Sequence, residues 1–296
     1  EDYDKLYDYV GKEAIDDYAV ETLKRFVGTS CNKIVVEYPY HDKDFLSTYY
    51  CYYSQKFRSF PKKCYRLHIM GKDEVYYGYI VLVKGTRLGT TYLSPKPLIN
   101  EEAYLMLAKY EAHIMDNKCE IKCFPWMKQE VDISVCAHVA AWTILRYYGN
   151  KYHNYADTTM GAIAQKIKGD MGRKTPSNGL TPVQIADLFQ EYGFSPIIRG
   201  GIKEENSKFL DEIMAYIESG IPIVGFISPK QHAVSIVGHG RINYDLLDNP
   251  VSVDKLKDEQ TGIILHSKLI PSLYVMEDNY FGYRKVSKEL PTSTSD

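Results

Sequence analysis

The stretch SVCAHVAAWTILRYYG, residues 134–149, decides how this chain reads. Cys136, Val139, Ala140, Trp142, Ile144 and Leu145 cover most of the circumference of a helix, so the segment is expected to run buried through a core, ended by Gly149. Cys136 stands where loop becomes helix. Unpaired N–H groups and the helix dipole at such a start favour a thiolate and should lower the thiol pKa. The polar run Lys128-Gln129-Glu130-Val131-Asp132 reads as an approach loop, which would let the cysteine face a cleft. A cysteine on an apolar helix is more often a small core residue, so the position needs support from elsewhere in the chain.

Working outward, residues 156–167 read as a second helix. Thr181-Pro182 supplies an N-cap and a first-turn proline for a third helix running to Tyr192, and a fourth spans 204–219. Short Val/Ile-rich runs at 221–227, 232–238 and 272–277 follow, predicting helices packed on an antiparallel sheet, an α+β layout. Upstream, Val20, Leu23 and Val27 recur at helical spacing, and strands are expected at 33–40, 75–84 and 88–93. The aromatic segment from Tyr49 to Phe60 suits neither period. Residues 111–115 and 119–124 alternate about Asp116-Asn117-Lys118 as a hairpin. The expected division is a small α+β N-terminal domain of unknown role at 1–110, a second domain at 111–290, and a disordered tail at 291–296.

Composition bounds the function classes. The chain has 296 residues, 45% apolar and 25% charged, with 36 Lys+Arg against 38 Asp+Glu, so it has no strong field to steer it to nucleic acid or an anionic membrane. No run of 18 apolar residues is present, so no membrane span is expected. Six cysteines spread through a chain too large to need staples fit reduced thiols and a cytoplasmic location. The first residue is Glu1, which leaves a processed or trimmed N-terminus open. The 27 tyrosines are the compositional oddity, and the Tyr-rich first half is a candidate surface for a protein partner, although tyrosine also suits half-buried strands.

Support for Cys136 comes from later residues. His232 opens an apolar strand after the polar turn 228–231, at a sheet edge where an imidazole can act as base. Asp278 ends the last strand and can orient that ring if the two strands are neighbours, with Asn279 as the fallback. Gln129 can lend a side-chain N–H which, with the Cys136 backbone N–H, would stabilise an oxyanion. Other residues read as structural. His138 is about 200° around the helix from Cys136 and is expected to be a satisfied polar neighbour. Cys119 and Cys123 share a strand face without a second ligand pair, so packing is preferred over zinc. His41, His68, His113, His153, His239 and His266 lack a Cys/Asp context. The polar stretch 241–262 is expected near the cleft as a solvated insertion, with a substrate lid as the alternative, and 169–179 is read the same way.

Taken in order, Gln129, Cys136 at a helix start, Ala140-Ala141-Trp142, Leu145-Arg146-Tyr147-Tyr148-Gly149, Asn178-Gly179-Leu180-Thr181, Glu191-Tyr192-Gly193-Phe194, Gly220-Ile221-Pro222, His232 to Gly238 and Asp278-Asn279-Tyr280-Phe281-Gly282 form a recognisable series. Over roughly 120–286 it resembles the papain-like cysteine peptidases, closest to their C39-like branch. The resemblance implies a papain-like fold, a Cys136 nucleophile, a His232 base, an Asp278 orienter and a Gln129 oxyanion donor. It departs from the family where Ala137-His138 replace the usual Gly-Pro after the cysteine, and where the Gln-to-Cys gap is one residue longer. The expected function is a thiol hydrolase acting on polypeptide or peptide-like substrates through an acyl-enzyme, with no metal or organic cofactor. The alternatives are an acyltransferase on the same triad and a catalytically silent binding module that keeps the fold.

Overall fold

The computed structural model describes residues 3–57, 59–83, 87–129, 136–167, 180–200, 206–227, 232–248, 250–258 and 261–287. The readings of 130–132 in the approach loop, 169–179, the turn 228–231 and the tail 291–296 lie outside the described residues. The first half carries α1 (Leu6–Val10), α2 (Asp17–Phe26), β1 (Lys33–Tyr40), α3 (Lys43–Cys51), β2 (Cys64–Met70), β3 (Tyr76–Val83), β4 (Arg87–Leu93) and β5 (Ala103–Leu105). There follow β6 (Ala108–Ile114), β7 (Asn117–Cys123), α4 (Cys136–Lys151), α5 (Met160–Lys166), α6 (Pro182–Glu191) and α7 (Asn206–Glu218). The chain closes with β8 (Ile223–Ile227), β9 (His232–Gly240), α8 (Pro250–Leu256), β10 (Ser272–Met276) and β11 (Arg284–Ser287). The fold is α+β, and every strand pair described is antiparallel.

β1 to β4 form a meander in sequence order. The second sheet runs β11-β10-β9-β5, with β8 also on β9. β10 takes one edge of β9, while β8 (opposite 232–236) and β5 (opposite 238–240) share the other edge end to end. With both edges paired and α4 across it, β9 is buried from Ala233 to Gly240, which is why it reads as a nearly unbroken apolar run. Gly238 is required where β5 crosses, because a Cβ there would lie 2.0 Å from the Tyr104 carbonyl oxygen.

α4 is buried without a break from Ala137 to Tyr147, as its all-round apolarity demands. Its alignment on β9 is set by hydroxyls: Thr143 Oγ1 and Ser235 Oγ are 2.9 Å apart, and Ser235 Oγ donates to the Ala140 carbonyl at 3.0 Å. Because these bonds would be left unmade in the interior if the helix slid, they fix the first half of α4 against the first half of β9. α6 begins as expected, with Pro182 first and a full capping box between Thr181 and Gln184.

The two halves share one core. Buried side chains from Tyr3 to Tyr283 form a continuous apolar cluster, Thr91 and Trp126 bridge backbone to backbone, and β5 from the first half pairs with β9 of the second. Tyr283 Oη donates to the Leu93 carbonyl at 3.2 Å and accepts the Phe124 N–H at 2.7 Å. The aromatic segment that fitted neither period is α3 followed by a short 3-10 turn, Tyr53–Gln55; Tyr52 and Tyr53 bury in a smaller core with Phe45, Cys64, Val81 and Val83. β2, β5 and β11 were not anticipated. The expectation that 241–262 hangs beside the cleft is corrected: that connection leaves β9 at Gly240 and re-enters at Ser272, the opposite end of the sheet from His232. Eight residue steps along the strand separate the two ends, about 26 Å. No helix among the described residues is long and apolar enough to cross a membrane.

Candidate active site

Three segments distant in sequence meet at one end of the second sheet. Cys136 is the first residue of α4, His232 the first of β9, and Asp278 lies two residues past β10. Since β10 runs antiparallel to β9 with Met276 opposite Ser235, the chain leaving β10 is delivered to the His232 end. The half-buried Cys136 Sγ accepts the backbone N–H of Ala233, the residue after His232, at 3.4 Å. His232 Nε2 stands 3.1 Å from Glu277 Oε1 and 3.4 Å from Asp278 Oδ1. These are charge contacts without hydrogen-bond alignment: Nε2 and both Asp278 oxygens are buried and lack a hydrogen-bond partner.

Burial dominates the electrostatics. It pushes the Asp278 carboxyl up to about 6, with His232 pulling the other way and the Glu277 charge adding to the rise. It also pushes the Cys136 thiol up; the Ala233 N–H opposes this, Asp278 adds to it, and the N–H groups of Ala137 and Cys136 oppose it. The expected lowering by the helix start is therefore not met, because desolvation and a nearby carboxylate outweigh the N–H groups. A sulfur in this setting needs a proton acceptor before it can attack.

Gln129 spends one amide N–H on Asn279 Oδ1, at 3.1 Å, so both side chains are held one residue from Asp278. Asn279 is thus engaged by Gln129, while the two carboxylates stand at the imidazole. The first half reaches this corner too: Tyr18 Oη donates to the Asn279 carbonyl at 3.0 Å, and Lys128 Nζ sits 3.9 Å above the Tyr18 ring. His138 is buried as its helix position requires, yet its Nδ1 has no hydrogen-bond partner, which corrects the reading of it as a satisfied neighbour. Burial holds its pKa down at about 4. His239, at the far end of β9, lies against Glu218, with 2.6 Å between Nε2 and Oε1. Cys119 and Cys123 lie opposite Ala112 and Ala108 in the β6–β7 hairpin, and no metal-binding group of three His, Cys, Asp or Glu is found among the described residues.

Glu277 is the site residue that sequence reasoning missed. Its available signal was adjacency to Asp278, and with Arg284 seven positions on, Arg284 Nη1 donates to Glu277 Oε2 at 2.7 Å.

Residues 120–260 match the model of the Peptidase_C39 like family, a span that includes Gln129, Cys136 and His232 and ends before Glu277 and Asp278. The C39-like resemblance read from the motifs is thereby borne out over that stretch, and at family level the match supports a cysteine-peptidase-type hydrolase. No curated protein and no solved structure matched the chain.

Proposed function

We propose that this protein is a cysteine peptidase with a papain-like arrangement of α4 on the second sheet, using Cys136, His232 and Asp278 as a triad. One observation carries the reading: the carboxylates stand at His232 Nε2 while the next residue's N–H holds the Cys136 sulfur. An imidazole whose Nε2 faces carboxylates keeps its proton there, so its lone pair is on Nδ1. Nδ1 takes the Cys136 proton and the thiolate attacks a substrate carbonyl carbon. The resulting oxyanion is held by the Cys136 backbone N–H and the second N–H of Gln129. The imidazolium returns the proton to the leaving amine, a thioester acyl-enzyme remains, and water deprotonated by His232 releases the acid and the thiol. Asp278 orients the ring throughout. None of the six cysteines is joined in a disulfide, which suits a compartment that keeps thiols reduced, such as the cytoplasm.

Incubation with an unbiased peptide library at neutral pH tests this, with products identified by mass. New N-termini that vanish in Cys136→Ala are expected. Cleavage that survives the substitution overturns the reading, as does formation of amide products with added amines and no free acid, which would make the protein an acyltransferase.

A further inference from the structure

We propose that Glu277 is a second positioning residue for His232, holding its proton on Nε2, and that Arg284 sets Glu277 in place for this task. The proposal deepens the triad reading and rests on it. Glu277 Oε1 is nearer the ring nitrogen than Asp278 Oδ1 is, 3.1 Å against 3.4 Å, and its side chain is only 11% exposed. The two oxygens of Glu277 do different things: Oε1 stands 3.1 Å from Nε2 as a charge contact, without hydrogen-bond alignment, while Oε2 accepts a hydrogen bond from Arg284 Nη1 at 2.7 Å. Arg284 opens β11, and its guanidinium stands 4.1 Å over the Tyr280 ring, so the cation that aims Glu277 is itself held by an aromatic face.

Asp278 is differently placed. Neither of its oxygens is hydrogen-bonded to a side chain, and burial lifts its carboxyl to about 6 against the opposing pull of His232 and of the nearby Asp278 and Asn279 N–H groups, so near pH 6 a proton competes for its charge. Two adjacent carboxyls at one nitrogen also repel each other, and the guanidinium on Glu277 is what offsets that repulsion. The titratable and charged groups around the imidazole among the described residues are thus Glu277 and Asp278 past β10, Cys136 at the start of α4, and Arg284 of β11 acting through Glu277.

The ¹⁵N shifts of the His232 ring report its tautomer directly, with or without the cysteine. The Nε2-protonated form is expected in the wild type and equally in Cys136→Ala. In Glu277→Gln, Arg284 claims the amide oxygen and turns the NH2 toward the ring, so the population should move to the Nδ1-protonated form. An unchanged tautomer in Glu277→Gln overturns the proposal. A second readout is the pH profile of Cys136 alkylation by iodoacetamide. Its acid limb, set by the first proton lost from the Cys136–His232 pair, is expected to move down by about 1 pH unit or more in Glu277→Gln, where a negative charge that holds protons on the pair is gone, and up in Arg284→Gln, where the full carboxylate charge falls on the ring. Limbs that move the same way in both variants, or a change in unfolding midpoint alone, would reduce Glu277 to a structural role. A wild type whose Cys136 shows no such limb while the tautomer still responds to Glu277→Gln would sink the nucleophile assignment and leave the positioning role standing.

Discussion

At the scale of single residues, the candidate site and the helix beside it concentrate groups that pay a desolvation penalty. His138 shows this most simply, being buried inside α4 with an unpartnered Nδ1 and a pKa held at about 4. The unfolded chain takes up that proton near 6.5 and the folded one only near 4, so stability present above pH 6.5 is lost as pH falls through this window. The two values imply about 3 kcal/mol at the acid end. His138→Leu, which keeps the volume and removes the titration, is expected to raise the urea midpoint at pH 4.5 by more than at pH 7.5. Equal changes at the two pH values would mean the ring is not titrating as its burial requires. Cys136 was legible as a residue at a helix start, but the direction of its pKa was not: the sequence shows the N–H groups and not the desolvation or the Asp278 charge that outweigh them.

At the scale of elements, what could be read depended on whether local pattern or long-range pairing made the structure. α4 and α6 carried their own evidence in apolar periodicity and capping residues, and β1 was found over the residues it occupies because that run is rich in β-branched and aromatic side chains. The helix expected at 156–167 begins only at Met160, where Thr159 accepts the Ala162 N–H and caps it. α3 was obscured because its tyrosines serve a small core on one side and solvent on the other. β5 is three residues long and exists only because β9 offers it an edge beside Gly238, which no window of local sequence reports. For the same reason Asp278 could be tied to His232 only on the condition that β9 and β10 are neighbours, and Glu277, one residue earlier, drew no attention.

At the scale of the whole molecule, the first half braces the helix that carries the cysteine. Arg146 of α4 donates from Nη2 to both oxygens of Asp44 in α3, at 2.7 and 2.8 Å, and Trp142 Nε1 adds a third bond at 2.9 Å. Both partners of the ion pair are almost fully buried, so removing one strands the other's charge. Arg146→Met is therefore expected to lower unfolding free energy by about 3–5 kcal/mol in urea titrations, and adding Asp44→Leu should restore much of it. A loss under about 1 kcal/mol would show that water relaxes into the site and the brace is weak. The larger claim is that α4, β9 and the segment past β10 converge so that one imidazole activates one sulfur. Brief exposure to limiting iodoacetamide at pH 7, followed by peptide mapping, tests it most directly. The account predicts that Cys136 is modified well before the other five cysteines and that His232→Ala abolishes this preference; uniform labelling, or a preference untouched by His232→Ala, would contradict it.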